Sequence, residues 1–530
     1  MEILKTTLIN RVAVGDIPRR AGVVNPDKVA FIDGDRQLTF REFDEHCNRL
    51  AHHLLGRGLK RGDAVACLCI NSLDFIISAY GVAKAGLVWV PMNVLLQRPQ
   101  LDYILEKVDA QLLIVDQGFV SVMQGEGREP PPFLVIEQTP DGDSPDRVAR
   151  AQRGESSSFS TALEGQPSTD PEVEIEDRQT AIVMFTSGTT AAQKGVVISH
   201  LAVYLATLNN IIELEMQADD VTVAMLPFFH CAQHTLTTSF LHRGATQIVM
   251  RGFDPVTLMD HITRHRVTWC FALPTMWRAV LDHPDRARYR FDSMRYGLYA
   301  MTPMDPETLS RLIHEICPRF ALSSGQTEVY PSACVFKPEF QFSKKGQYWG
   351  QQGLTCEFQI MDDAGDLLPH GQVGELVVRG PTVMMEYLGD PEATGAARAH
   401  GWHHTGDLGL IDEDGQFLFH DRKKDMIKTG GENVASCTVE AALLGHSGVA
   451  AAAVVGLPHA RWIEAVTAFV VPKPATPLTE DDVIGWCRTR LGKHEVPKRV
   501  VFVERFPMTV TGKILKHVLR AEHVGLFEND

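Results

Sequence analysis

A chain of 530 residues exceeds what one hydrophobic core can organise, so roughly two to four lobes are expected. Its composition, 44% hydrophobic and 22% charged, is that of a globular protein, and a net charge of −15 argues against bulk nucleic-acid binding. No apolar run reaches the length of a membrane span, and Met1-Glu2-Ile3-Leu4-Lys5 lacks a secretory h-region. The 10 scattered cysteines show neither zinc spacing nor a disulfide framework, so a reducing cytoplasm is expected.

From the N-terminus the elements alternate in βα fashion. Ala64–Ile70 reads as a strand and Leu73–Ala85 as a helix, its apolar residues at helical spacing. Val88–Pro91 and Gln111–Val115 read as short strands around a helix at Arg98–Val108. Residues 123–178, rich in Pro, Gly, Ser and acids, read as a surface excursion and not a domain. The alternation resumes with the strand Ala181–Phe185, helix Leu201–Glu215, strand Val221–Leu226, helix Pro255–His265 and strand Val267–Ala272. Such alternation indicates largely parallel sheets covered by helices. Beyond Gly353 come short strands joined by Asp-Gly and Gly turns: Glu357–Met361, Gly374–Arg379, Gly409–Asp412 and Phe417–His420. A separate α/β segment follows Asp421-Arg422-Lys423-Lys424-Asp425. The expected fold is α/β: residues 1–423 form a large N-terminal domain of two βα-layered sheets plus a small β-rich lobe, and residues 424–530 an α+β C-terminal domain.

The strand at Ala181–Phe185 leads into Thr186-Ser187-Gly188-Thr189-Thr190-Ala191-Ala192-Gln193-Lys194-Gly195. Small residues let backbone N–H groups approach phosphate oxygens, hydroxyls add donors, and Lys194 supplies a charge. It is not a Walker A loop, because Gln193 stands where that motif has Gly before its Lys. Four further segments follow in order: Leu226-Pro227-Phe228-Phe229-His230; Ser323-Ser324-Gly325-Gln326-Thr327-Glu328; His404-Thr405-Gly406-Asp407 with Asp421-Arg422-Lys423-Lys424-Asp425; and Thr511-Gly512-Lys513-Ile514-Leu515-Lys516. Together the five resemble, over nearly the whole chain, the adenylate-forming superfamily, closest in pattern to its fatty-acid and aryl acyl-CoA synthetases.

That resemblance implies attack of a carboxylate on the α-phosphate of Mg·ATP, giving an acyl-adenylate and pyrophosphate, then displacement of AMP by a thiol, usually that of coenzyme A. Such a step needs positioning and charge neutralisation more than acid–base chemistry. It further implies that Thr186, Ser187, Gly188, Thr189, Thr190 and Lys194 hold the phosphates, with Gln326 also on the nucleotide. Thr327 contacts the α-phosphate, and Glu328 holds Mg²⁺ as a hard oxygen ligand. Asp407 accepts the ribose hydroxyls, and Arg422 adds a ribose contact or braces the lobe junction. Lys513 bridges carboxylate and α-phosphate. His230 lines the carboxylate pocket, with Ala300, Met301, Thr302, Ser324 and Gly325 around the acyl group. Lys424 pivots a mobile C-terminal domain so that Gly430, Gly431 and Glu432 enter for the second step. His403-His404 reads as a packing and turn element, since its neighbours supply no third ligand at metal spacing.

Several positions depart from the family pattern. Ala191 and Gln193 replace Gly and Pro in the phosphate loop, and Ile463 stands at a frequent Gly. Ser324 stands where an aromatic usually stacks on adenine; its loss weakens ATP binding by about 1 kcal/mol unless Tyr296, Tyr299 or Tyr330 substitutes. Met301 and Thr302 add bulk in place of a Gly-Gly-Ala-Pro segment. Residues 204–209, 230–234, 300–304 and 323–330 should line the acyl site, and their Met, Tyr, Cys and Leu content suits an apolar acid, such as a medium or branched chain, a ring acid or an aryl acid. Three other readings stand beside the CoA ligase: an amide-forming ligase, transfer to a carrier protein, and a catalytically silent nucleotide-binding scaffold. A monomer or homodimer is expected.

Overall fold

The computed structural model describes residues 8–137, 157–186, 193–300, 304–331, 333–474, 477–508 and 514–528. The chain divides into two compact units. The first comprises residues 1–345, 349–357 and 378–403; the second comprises 346–348, 358–377 and 404–530.

The first unit holds two sheets. One has eight strands in the order Glu386–Tyr387, Lys194–Ser199, Thr180–Thr186, Val88–Pro91, Ala64–Leu68, Ala110–Asp116, Phe133–Ile136, Ser157–Ser158. In the other, strands run from Cys334–Phe336 through Phe320–Ser324, Tyr296–Ala300, Trp269–Phe271, Val221–Ala224 and Thr246–Val249 to Val29–Asp33 and Arg36–Thr39. Most neighbours are parallel, as with Ala64–Leu68 against Ala110–Asp116 and Tyr296–Ala300 against Phe320–Ser324. Connecting helices start where polar side chains satisfy the orphan N–H groups of the first turn. Thr39 and Glu42 form a capping box for Phe40–Gly56, Ser72 caps Leu73–Lys84 and Ser199 caps His200–Glu213. The largest core cluster runs from Ile17 and Phe43 through Trp89 to Phe228 and Tyr330.

Two local readings change. The Pro-rich stretch contributes structure, because Phe133–Ile136 adds a parallel strand beside Ala110–Asp116. Four apolar residues suffice once a neighbouring strand supplies the pairing, although the surrounding composition hides them. The phosphate-loop segment, in turn, is the connection of a β-hairpin: Thr180–Thr186 pairs antiparallel with Lys194–Ser199.

The second unit holds a small sheet ordered Leu367–Leu368, Glu357–Met361, Gly374–Arg379, His403–Ile411, Phe417–Arg422. It also holds a sheet ordered Glu432–Val434, Ile427–Thr429, Ile463–Pro472, Val449–His459, with Arg499–Phe502 parallel to Ile463–Pro472. Helices Ser436–Leu444 and Glu480–Arg488 cover the second sheet through Val439, Leu443, Val483 and Cys487. Lys424 lies inside this unit, and its side chain is exposed.

Candidate functional site

In the first unit the predicted residues gather at strand ends. Thr186 and Lys194 face each other across the mouth of the hairpin. Ser187, Gly188, Thr189, Thr190 and Ala191 lie outside the described residues. A Cβ on Gly195 would stand 3.1 Å from both Phe185 Cζ and Val183 Cγ1, so the glycine lets the hairpin close on its own side chains. Lys194 Nζ sits over the Tyr387 ring, 4.8 Å from its centroid, within cation–π range.

His230 ends the turn that follows strand Val221–Ala224, with its N–H donating to Pro227 O at 3.0 Å. Its Nδ1 accepts the Ala232 N–H at 3.3 Å, making it the N-cap of helix Cys231–Arg243. The next residue, Cys231, places Sγ 3.3 Å from Thr327 Oγ1, joining the His230 turn to the Thr327–Val329 turn. Glu328 is held from a third direction: Met384 N–H donates to its carbonyl at 2.7 Å, and Tyr387 Oη donates to its Oε1 at 3.0 Å. Ala300 and Ser323 pair at the ends of adjacent parallel strands, and Ser324 follows. The ends of parallel strands are where open α/β sheets bind ligands. Gln326 and Gly325 occupy the short link between Ser324 and Thr327, with Gly325 exposed. Met301 and Thr302 lie outside the described residues.

None of the three tyrosines considered as adenine platforms offers an open ring face. Tyr296 is 0% exposed and stacks 5.9 Å from Trp269. Tyr299 is 2% exposed, its hydroxyl donating to Gln341 Oε1 at 2.6 Å. Tyr330, 1% exposed, bonds its hydroxyl to His234 Nδ1 and has φ +44. A bulky side chain rarely adopts that backbone conformation. The phenol–imidazole bond inside the core holds it there. Tyr330, like Tyr296 and Tyr299, is therefore a core residue and not a substitute for the aromatic missing at Ser324.

In the second unit Asp407 is 1% exposed, and Arg422 Nε reaches its Oδ1 at 2.9 Å across paired strands. The turn before it hangs on Glu375, which the sequence did not mark. Glu375 Oε1 accepts the Gly406 N–H at 2.9 Å, and its Oε2 meets His404 Nδ1 at 3.2 Å and Lys423 Nζ at 3.1 Å. Burial pushes this carboxyl up, but the bonds from His404, Gly406 and Lys423 outweigh it and hold it below its ordinary value. Gly430 and Gly431 form the tight turn between Ile427–Thr429 and Glu432–Val434, with φ +59 and +91. Two positive φ values are the demand of a hairpin turn that glycine meets without strain. Glu432 is exposed at the start of the second strand. Ile463, at φ +71 and 69% exposed, adopts a conformation costly for a β-branched residue.

Lys513 lies outside the described residues, but the helix that follows is anchored. Lys516 Nζ reaches Glu440 Oε1 and Ser436 Oγ, both at 2.7 Å, and Arg520 reaches Asp425 Oδ1 at 2.8 Å. The helix after Lys513 is thus pinned to the segment after Lys424. Glu375 and Tyr387 are the site-forming residues missed by sequence reasoning, whereas Cys231 lies in the stretch 230–234 expected to line the acyl site.

A lysine at the mouth of a hairpin and a hydroxyl and carboxylate in the turn beyond a parallel strand fit a nucleotide-handling α/β protein. The chain belongs to the AMP-binding enzyme family: residues 19–388 match that family and residues 438–513 match its C-terminal domain. It is 32% identical over 508 residues to a feruloyl-CoA synthase from an Amycolatopsis species, covering 96% of this chain and 98% of the relative. It is also 32% identical over 516 residues to the long-chain-fatty-acid–CoA ligase FadD13 of Mycobacterium tuberculosis, with the same coverage of 96% and 98%. Among solved structures, ATP-bound MatB from Rhodopseudomonas palustris superposes with a TM-score of 0.86 at 25% identity, covering 97% of this chain and 99% of that one.

Proposed function

We propose that this protein is an AMP-forming acid–thiol ligase: it activates a carboxylic acid with ATP through an acyl-adenylate and transfers the acyl group to coenzyme A. The observation that carries the reading is the convergence of Lys194, His230, Thr327 and Glu328, tied together through Tyr387 and Cys231. Relatives named as CoA ligases match it over almost their full length.

In this reading Thr186 and Lys194, with Ser187, Gly188, Thr189 and Thr190, take the phosphates of ATP, and Gln326 adds a nucleotide contact. Thr327 offers its hydroxyl to the α-phosphate. Glu328 is the protein's oxygen ligand for Mg²⁺. Among the described residues no group of three His, Cys, Asp or Glu side chains could hold a metal. One half-buried carboxylate therefore fits an ion carried mainly by phosphates and water. When bound, Mg²⁺ supplies neutralisation of phosphate charge. Asp407 takes the ribose hydroxyls and Arg422 orients it. Lys513 draws carboxylate and α-phosphate together. His230, whose Nδ1 accepts the Ala232 N–H, lines the carboxylate pocket and moves between the two steps. For the second step the chain pivots at Lys424, bringing Gly430, Gly431 and Glu432 to the thiol.

The residue types expected around the acid suit an apolar one, and Ala232 and Ala300, both half-buried, pack on the apolar core cluster that holds Leu236 and Leu298. Relatives of equal identity are named for an aromatic and for a long-chain acid, so the acid's identity has to be found by screening. Ten free cysteines fit a reducing compartment such as the cytoplasm, and among the described residues no helix is long and apolar enough to cross a membrane.

The test is pyrophosphate release from purified protein with ATP, Mg²⁺ and a panel of carboxylic acids, with CoA or amines added. Acid-dependent pyrophosphate release and a thioester product support the reading. An amide product without thioester would replace CoA by an amine acceptor, and no acid-dependent release at all would leave only a nucleotide-binding scaffold.

A further inference from the structure

Tyr387 stands between two groups of the site, and nothing in its sequence surroundings announces that. The segment 384–388 is stitched to both halves of the first unit's site. Toward the hairpin, Tyr387 pairs with Val196 and Leu388 N–H donates to Gly195 O at 2.7 Å. Toward the Thr327–Val329 turn, Met384 N–H donates to Glu328 O at 2.7 Å. Tyr387 N–H itself donates to Thr394 Oγ1 at 3.0 Å, which fixes the backbone from which the phenol projects.

From that fixed backbone the side chain does two things. Its hydroxyl donates to Glu328 Oε1 at 3.0 Å, and its ring carries the Lys194 ammonium 4.8 Å from the centroid. A carboxylate that accepts a phenol hydrogen bond on one oxygen has its orientation restrained and keeps lone pairs for a further ligand. An ammonium resting on an aromatic face keeps its donors available to an incoming anion.

We propose that Tyr387 is a positioning residue for both charges: its hydroxyl orients Glu328 toward the metal of Mg·ATP, and its ring face holds Lys194 for the phosphates. The inference rests on Glu328 being the metal ligand. Hydrogen bonds that orient ligating carboxylates tune metal affinity, and losing one typically costs about 10- to 100-fold.

The experiment uses the full chain carrying Tyr387→Phe, which keeps the ring and removes only the hydroxyl. Mn²⁺ binding is followed by electron paramagnetic resonance of the free ion, with a non-hydrolysable ATP analogue bound. The Mg²⁺ concentration for half-maximal pyrophosphate release, the KM for the acid and the melting temperature are measured alongside. The expected result is Mn²⁺ affinity about tenfold weaker, a parallel rise in the Mg²⁺ requirement, and an unchanged acid KM and melting temperature. In a Glu328→Gln background the same substitution should add nothing further. Unchanged Mn²⁺ affinity in Tyr387→Phe, or an equal loss in the Glu328→Gln background, overturns the proposal while leaving the ligase reading intact. Full Mn²⁺ affinity in Glu328→Gln alone removes Glu328 as the metal ligand, and the proposal with it.

Discussion

Two buried histidines should make the first unit acid-labile. His200 and His234 are 0% and 1% exposed, and burial lowers them from 6.5 to about 4 and about 3. The neutral rings are built into the fold: His200 Nδ1 accepts the Val14 N–H at 3.2 Å, and His234 lies 4.9 Å from Trp89 and 5.1 Å from Phe228. In the unfolded chain each imidazole binds a proton as the pH falls through about 6.5, whereas in the fold it does not. Their contribution is therefore complete above that pH and is lost progressively toward the folded values. At about pH 5 each costs about 2 kcal/mol. Asp116 acts in the opposite sense. Burial raises it from 3.8 to about 6, so its contribution is present at low pH and lost as the pH rises through 6; this offsets about 1 kcal/mol. These three groups together lose about 3 kcal/mol between about pH 7 and 5, and His242, lowered by burial from 6.5 to about 4, adds about 2 kcal/mol in the same direction, a large part of a typical stability of about 5–15 kcal/mol. Urea titrations at the two pH values, read by tryptophan fluorescence through Trp89, measure it. His234→Gln keeps a hydrogen-bond acceptor but cannot charge, and should shrink the loss by about 2 kcal/mol. Identical pH dependence in both proteins, or none in the parent, would refute the reasoning.

Three further outcomes are expected. Lys513→Ala should cut adenylation by orders of magnitude while sparing thioester formation from a synthetic acyl-adenylate; comparable losses in the two half-reactions would contradict its assignment. Lys424→Pro should restrict the backbone before Asp425 and slow the second half-reaction more than the first, which separate assays of the two steps will show. Ile463→Gly should raise the melting temperature, because it relieves a β-branched side chain at φ +71 worth about 1 kcal/mol. A lower melting temperature would mean that the exposed Ile463 side chain contributes packing that outweighs the strain.

Much of this was legible in the chain because the governing physics is local. Val88–Pro91 and Pro255–His265 form with the bounds expected from their patterns. Gly374–Arg379 does so too, and Leu73–Lys84 and Arg98–Lys107 form within a residue of theirs. Apolar spacing, a capping Ser or Asp and a Pro in the first turn act over a few residues, so adjacent letters record them. The ordered motifs likewise placed the chain in its family, because phosphate-binding turns need particular residues side by side.

The long-range pairings were not legible. Whether strand Thr180–Thr186 returns as a hairpin, whether Tyr330 faces a ligand or the core, and whether Gly430-Gly431 is first a turn depend on partners elsewhere in the chain. Tyr387 reaches Glu328 across 59 residues, and Cys231 reaches Thr327 across 96. The residue types that such a site needs, and much of its secondary structure, are thus written in short stretches of sequence. Which of those side chains meet, and which are buried and silent, follows from packing, where burial selects one partner among many that are chemically equivalent.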